Sequence, residues 1–216
     1  MTQAPIAAEF QTKDSITLRG LHWEGGRSWL VFVHDCDGES DLDVWRPLIP
    51  ALLDDEWSML AFDLRGHGAS EGDKPNIAGD LGAVLEYARE RSAEWIAVLA
   101  SGQTAITALE LALEMKVDAL VLLSPAVAEG MPLETLRGRG EAKLFAVGGG
   151  DVDLQREVSK LRNTSIGWAM LVTVPTKAQG TALLADRMAS QVIERIVAFL
   201  REQRYLSRVR GIRPAS

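Results

Sequence analysis

Short apolar runs rich in β-branched residues alternate along this chain with longer stretches in which apolar positions recur every three or four residues. Continuous or alternating apolarity over four to eight residues reads as strand, and a 3.6-residue period reads as helix. On that basis strands are predicted at Glu9–Thr12, Ile16–Trp23, Trp29–His34, Ser58–Asp63, Trp95–Ala100, Ala119–Leu123, Leu144–Val147 and Trp168–Val174. Helices are predicted near Val44–Asp54, Ile77–Arg91, Thr104–Met115, Leu154–Leu161 and Ala185–Arg204. The last shows the pattern most plainly, with Met188, Val192, Ile193, Ile196, Val197 and Leu200 on one stripe. Lys13-Asp14-Ser15 is short enough to join the first two strands as an antiparallel hairpin. Helical stretches separate the later strands, so the class is α/β, with a mostly parallel eight-stranded sheet covered on both faces.

No stretch is rich enough in Pro, Gly or Ser to divide the chain, which predicts one domain over residues 9–203, preceded by an extension at 1–8. The connection from Ser124 to Lys143 is too small for more than loop and one short helix, so no cap domain is expected. Apolar runs such as Ile96–Ala100 fall far short of the roughly 20 residues that cross a bilayer. The first ten residues lack the basic and apolar segments of a secretion signal, and a soluble, cytoplasmic protein is expected.

Composition narrows the function classes. The hydrophobic share of 47% with 25% charged residues is that of a globular protein able to bury a core. A formal charge of −7 argues against general nucleic-acid binding, which needs clustered cations. The charge is uneven, since the segment 204–216 is a basic tail carrying Arg204, Arg208, Arg210 and Arg213. That tail is expected to be a solvated end. The single cysteine, Cys36, excludes an internal disulfide and a Cys-based zinc site, and nothing calls for a metal or cofactor.

Two motifs carry chemistry-bearing residue types. The run Trp29-Leu-Val-Phe-Val-His34-Asp35-Cys36-Asp37-Gly38 is a buried strand ending in His and a turn. Leu60-Ala-Phe-Asp63-Leu64-Arg65-Gly66-His67-Gly68-Ala69-Ser70 is a second strand followed by a glycine-punctuated loop. This resembles the α/β-hydrolase family, in which a strand ends in D-x-R-G-H-G-x-S, and the resemblance extends over about residues 9–203. The glycines permit tight turns, and Arg65 and His67 are expected to pin loops rather than to react.

The resemblance places a catalytic triad at three positions, and two of them depart from the family pattern. The family's nucleophile sits at a strand-to-helix elbow flanked two residues away by small side chains. In Ala97-Val-Leu-Ala100-Ser101-Gly102-Gln103-Thr104-Ala105 that register puts Gly102 at the nucleophile position, between Ala100 and Thr104; placing Ser101 there would leave bulky Leu99 and Gln103 as flanks. Gly148-Gly-Gly-Asp151 resembles the family's G-x-x-D, which maps the acid to Asp151, while an ordinary helix cap accounts for it equally well. The histidine position reads Gln179, and no histidine follows His67.

A triad needs a nucleophile, a proton carrier and an orienting acid. Glycine and glutamine supply neither of the first two, which predicts a non-catalytic or very weakly active protein that binds a small anionic or carbonyl ligand or a protein partner. The ligand-binding residues on this reading are Cys36, Gln103, His34 and Ser101, with the backbone N–H groups of Gln103 and Cys36 holding an anion at the helix start. The alternative is an esterase-like hydrolase of the same family using Ser101, a Cys36 thiolate or His34 as a general base.

Overall fold

The computed structural model describes residues 4–53, 56–112, 114–128, 131–138 and 140–211. Eight strands form one sheet: β1 (Ile6–Gln11), β2 (Thr17–Trp23), β3 (Ser28–Val33), β4 (Ser58–Phe62), β5 (Trp95–Ser101), β6 (Ala119–Leu123), β7 (Ala142–Gly148) and β8 (Ala169–Val174). Their spatial order is β1-β2-β4-β3-β5-β6-β7-β8. β2 runs antiparallel to β1 and β4, and every other pairing is parallel. The expected hairpin is present, closed by Ser15 N–H donating to Thr12 O at 2.9 Å. β1 starts at Ile6, earlier than the periodicity suggested.

Four α-helices are present among the described residues: α1 (Ile77–Glu90), α2 (Gly102–Leu111), α3 (Val152–Thr164) and α4 (Ala189–Gly211). The two-residue strand period sorts side chains onto opposite faces. Val31, Val33, Phe62, Val98, Leu120 and Phe145 pack under Leu81, Leu85, Ile106, Leu109, Val158 and Leu161 of α1–α3. Leu30, Phe32, Met59, Leu99, Val121 and Leu144 pack under Trp45, Leu48 and Leu52 and under Val192, Ile196 and Leu200 of α4. Strands covered on both faces lose the polar half of their alternation, which is why β3–β7 read as nearly continuous apolar runs, broken inside β7 by the buried Lys143.

One predicted helix is corrected. The segment Val44–Asp54 is not an α-helix but two 3₁₀ turns, Leu42–Trp45 and Ile49–Ala51, with Asp54 outside the described residues. Its bonds are all of the i→i−3 kind: Arg46 N–H to Asp43 O, Leu48 N–H to Trp45 O and Leu52 N–H to Ile49 O, each 3.0 Å. Pro47 and Pro50 each remove a donor and crowd the preceding residue out of the α region, so no continuous ladder can form. The apolar positions still do their work, and Trp45, Leu48 and Leu52 are fully buried.

The last helix is longer than its apolar stripe. α4 continues to Gly211, so the first part of the basic tail is helical, and the Arg204 guanidinium lies 3.8 Å from the centroid of the Trp57 ring. Between β6 and β7 the described residues contain a 3₁₀ turn at Leu133–Leu136. No helix among the described residues is long and apolar enough to cross a membrane.

Candidate functional site

The loop after β4 is scaffold. Asp63 accepts from Leu42 N–H and Ala69 N–H, both at 2.8 Å, and its carbonyl accepts from Ser70 Oγ at 2.6 Å. Gly68 has φ +47, and a Cβ there would overlap the Asp63 carboxylate, so glycine is required for both conformation and space. Arg65 donates through Nε to Asp80 at 2.7 Å and through its two terminal nitrogens to Asp14 at 2.7 and 3.1 Å. The Arg65 bonds hold the exposed Asp14 carboxyl well below the usual range, whereas burial pushes Asp80 up. His67 Nδ1 lies 3.0 Å from Ser40 O, and its ring meets that of His34 edge-on at 5.0 Å. Both residues therefore pin loops, as the sequence suggested.

His34 is fully buried at the end of β3. Leu64 N–H donates to its Nε2 at 2.9 Å, so that nitrogen carries no proton and Nδ1–H donates to Asp35 O at 2.7 Å. Burial pushes the imidazole's pKa down, favouring this neutral form. The assignment of His34 as a ligand-binding residue or general base is thus corrected: its basic lone pair is occupied and it does not reach solvent.

At the elbow, Ser101 is extended with φ −131 and ψ 146, and the chain turns at Gly102 with φ +58 into α2. Gly102 is therefore the turning residue, in the register its small flanks implied. Ser101 is buried, with its hydroxyl against Gly180, where a Cβ would fall 2.7 Å from Oγ. That position keeps Ser101 out of the space before Gly102 and corrects its assignment to the ligand site.

The residue in that space is Asp35. A Cβ on Gly102 would overlap its carboxylate, and Gln103 N–H donates to Oδ1 at 3.2 Å. Burial raises the Asp35 pKa; the backbone N–H groups of Gln103, Asp37 and Cys36 oppose this, and the charge of Asp37 adds to it. The external anion expected at Gln103 N–H and Cys36 N–H is thus replaced by the chain's own carboxylate. Asp35 opens a run of five acids, with Asp37, Glu39, Asp41 and Asp43, that makes the loop leaving β3 acidic, Asp43 being paired with Arg46 at 2.8 Å. Cys36 is no better as a nucleophile: its thiol points to Gln103 Oε1 at 3.6 Å, and burial together with Asp35 and Asp37 pushes its pKa up, away from the thiolate.

The other two positions are structural. Asp151 caps α3, accepting from Leu154 N–H at 3.0 Å. Replacing it with alanine should lower stability by about 1 kcal/mol, the scale of one N-cap, read as a shifted urea midpoint at unchanged slope. Gln179 Oε1 accepts from Ser124 Oγ at 2.7 Å and from Gly148 N–H at 3.1 Å, while Nε2 donates to Gly148 O at 2.9 Å. Ser124, at φ +46, in turn accepts from Gly180 N–H at 2.8 Å. The planar amide thereby clamps the ends of β6 and β7 to the loop after β8, matching an acceptor and a donor to the backbone N–H and C=O of one residue, Gly148. Beside it, a cavity of about 710 Å³ at the carboxyl ends of β7 and β8 is lined by Gly149, Gly150, Thr176, Lys177 and Asp186.

Sequence reasoning overlooked Asp35 and Ser124. A signal for Asp35 was available, because a carboxylate directly after His34 faces an elbow whose turning residue has no side chain. Ser124 had none, since its part is set by strands distant in sequence.

A parallel α/β sheet whose central strand turns through a left-handed residue into a helix, with the acid and base positions after the next strands but one and two, is the architecture of an α/β-hydrolase-like protein. The chain belongs to the α/β-hydrolase fold family, whose sequence pattern matches residues 29–165. No curated protein is a match for it. An esterase of Pyrococcus furiosus superposes with a TM-score of 0.77 at 19% identity, covering 92% of this chain and 90% of that one. An α-β serine hydrolase homologue from Coxiella burnetii gives 0.74 at 20% identity, over 93% and 98%. A Butyrivibrio proteoclasticus protein solved with ferulic acid bound gives 0.74 at 17% identity, over 91% and 99%.

Proposed function

We propose that this member of the family acts by binding and not by acyl transfer. One observation carries the reading: the place of a nucleophile's side chain at Gly102 is taken by the Asp35 carboxylate, on the N–H of Gln103. The Gln179 amide, spent on Ser124 and Gly148, supports it, because no proton carrier stands where one would be needed. Loss of nucleophile or base from such a triad costs on the order of 10⁶ in kcat, so a surviving Asp151 confers no partial activity. With the elbow filled and the loop beside it acidic, a protein partner fits the resting site better than a small anion.

The competing reading, an esterase with a displaced nucleophile, is favoured by the esterase among the structural relatives. A fluorophosphonate probe and a panel of short-chain aryl esters at high protein concentration separate the two. We expect no adduct and no turnover above the buffer rate. An adduct on Ser101 or Ser124, located by peptide mass spectrometry, would establish the esterase reading in its place.

A further inference from the structure

We propose that the outer edge of β8 is a docking site for an extended peptide segment with acidic flanks, which adds a strand to the sheet. The site lies apart from the elbow and stands whatever the elbow does. β8 ends the sheet, and no described residue pairs with its outer side. β3–β7 are buried at every position, whereas β8 is half-buried from Ala169 to Val172 and exposed at Thr173.

What this edge offers follows from the pairing inside it. In a strand the N–H and C=O of one residue point to one side and those of the next residue to the other. Lys143 N–H donates to Trp168 O at 2.9 Å and Gly149 N–H to Val174 O at 2.8 Å, so residues 168 and 174 face β7. By the same alternation Met170 and Val172 face β7, while Ala169, Leu171 and Thr173 present their backbone groups outward. Arg162 Nε covers the first of these, donating to Ala169 O at 3.2 Å. Past the other end of the strand, Pro175 has no N–H and its carbonyl accepts from Arg187 Nη2 at 3.3 Å. Between the two arginines, Leu171 and Thr173 each keep an N–H and a C=O open, and an antiparallel strand exchanges two bonds with each.

Sheet edges are commonly guarded by a charge, a proline or a bulge. Ala-Met-Leu-Val-Thr-Val of β8 contains none of these, whereas the opposite edge, β1, carries Glu9, paired with Arg19 at 3.3 Å. An added strand lays its side chains beside Met170 and Val172 on the α4 face, next to exposed Trp168, and beside Leu171 on the α3 face. That surface suits β-branched residues at the centre of the segment. Charge selects its flanks. Arg162 stands at one end of the open window, and exposed Lys177 and Arg187 stand at the other, where the cavity at the carboxyl ends of β7 and β8 reaches Thr173. Asp186 lies among these cations with its carboxylate already accepting from Met188 N–H at 2.9 Å. The same charges count against a second copy as the occupant, because antiparallel pairing of two β8 edges would set Arg162 of each copy beside Lys177 and Arg187 of the other.

The test uses the full chain and a blocked, fluorescent peptide with two aspartates on each side of Thr-Val-Thr-Val-Thr. At low salt, fluorescence anisotropy should show it binding at least about tenfold more tightly than the same peptide with lysine for aspartate, an advantage that shrinks as salt rises. The bound peptide should slow hydrogen exchange at the Leu171 and Thr173 amides and leave Met170 and Val172, already bonded to β7, unchanged. Thr173→Pro removes an outward N–H and no bond to β7, so it should weaken binding at least about tenfold while the urea midpoint stays close to wild type. Lys177→Glu should weaken the acidic peptide and strengthen the lysine one. Absent or equal binding of the two peptides, binding without protection at Leu171 and Thr173, or full affinity in folded Thr173→Pro would each overturn the proposal; the first two need no variant. A peptide-free wild type that sediments as a dimer with those two amides already protected would overturn it in favour of a second copy.

Discussion

Gly102→Ser is expected to destabilise the protein by about 2–5 kcal/mol, although it restores the family's usual type of side chain at that position. Two costs combine. A non-glycine residue at φ +58 costs roughly 1–2 kcal/mol, and forcing a side chain into the space of the Asp35 carboxylate adds roughly 1–3 kcal/mol of overpacking. Asp35→Gly should remove the second cost and leave the first. The double variant should therefore be more stable than the sum of the singles by about 1–3 kcal/mol, read from urea unfolding of all four members of the cycle. Strict additivity would show that Asp35 does not occupy the elbow. Adding Gln179→His would supply an imidazole at the family's histidine position, yet ester turnover should remain weak, because histidine cannot reproduce the clamp on Gly148 and Ser124.

The second large effect lies in the loop after β4. Arg65→Met should cost about 3–5 kcal/mol, the penalty of leaving fully buried Asp80 without its cation. The pH dependence identifies the cause. Burial raises the Asp80 pKa in the folded state, and removing Arg65 raises it further, so the folded variant holds a proton that the unfolded chain releases. Such a group stabilises the fold progressively as pH falls, so the deficit of the variant relative to wild type should shrink from about pH 7 towards about pH 5. A deficit that stays constant over this range would place the loss in Arg65's packing instead. Asp80→Asn in the Arg65→Met background should recover much of the loss at neutral pH for the same reason.

Much of the fold is legible in the order of the residues alone. The apolar runs located all eight strands, and β3–β7 most plainly, because strands buried on two faces are apolar at nearly every position, Lys143 in β7 being buried only with Glu141 as its partner. The glycines of the 63–70 loop and the Ala100/Thr104 flanks of Gly102 located the turns, because conformation and close approach admit few residue types there. Where helices begin and end was less legible. Two prolines turned an amphipathic stretch into 3₁₀ turns without disturbing its buried face, since packing needs Trp45, Leu48 and Leu52 on one side but not α geometry. α4 outran its stripe because a helix on the rim can continue on polar residues and on one arginine stacked against Trp57.

The site divides in the same way. Residue identity was enough to show that Gly102 brings no side chain to the elbow and that Gln179 brings an amide and not an imidazole to the loop after β8, because a side chain's chemistry needs no neighbours to be recognised. What stands in their place follows from long-range packing. Asp35 and Gln103 are sixty-eight positions apart, and Ser124 and Gln179 fifty-five, so nothing local in the chain announces either hydrogen bond. Only the parallel pairing of β3 with β5, and of β6 with β7 and β7 with β8, brings those strand ends side by side. Once adjacent, a glycine's empty volume, an unpaired helix N–H and a neighbouring carboxylate satisfy one another, because an unfilled polar space beside a helix start is costly and a side chain within reach fills it.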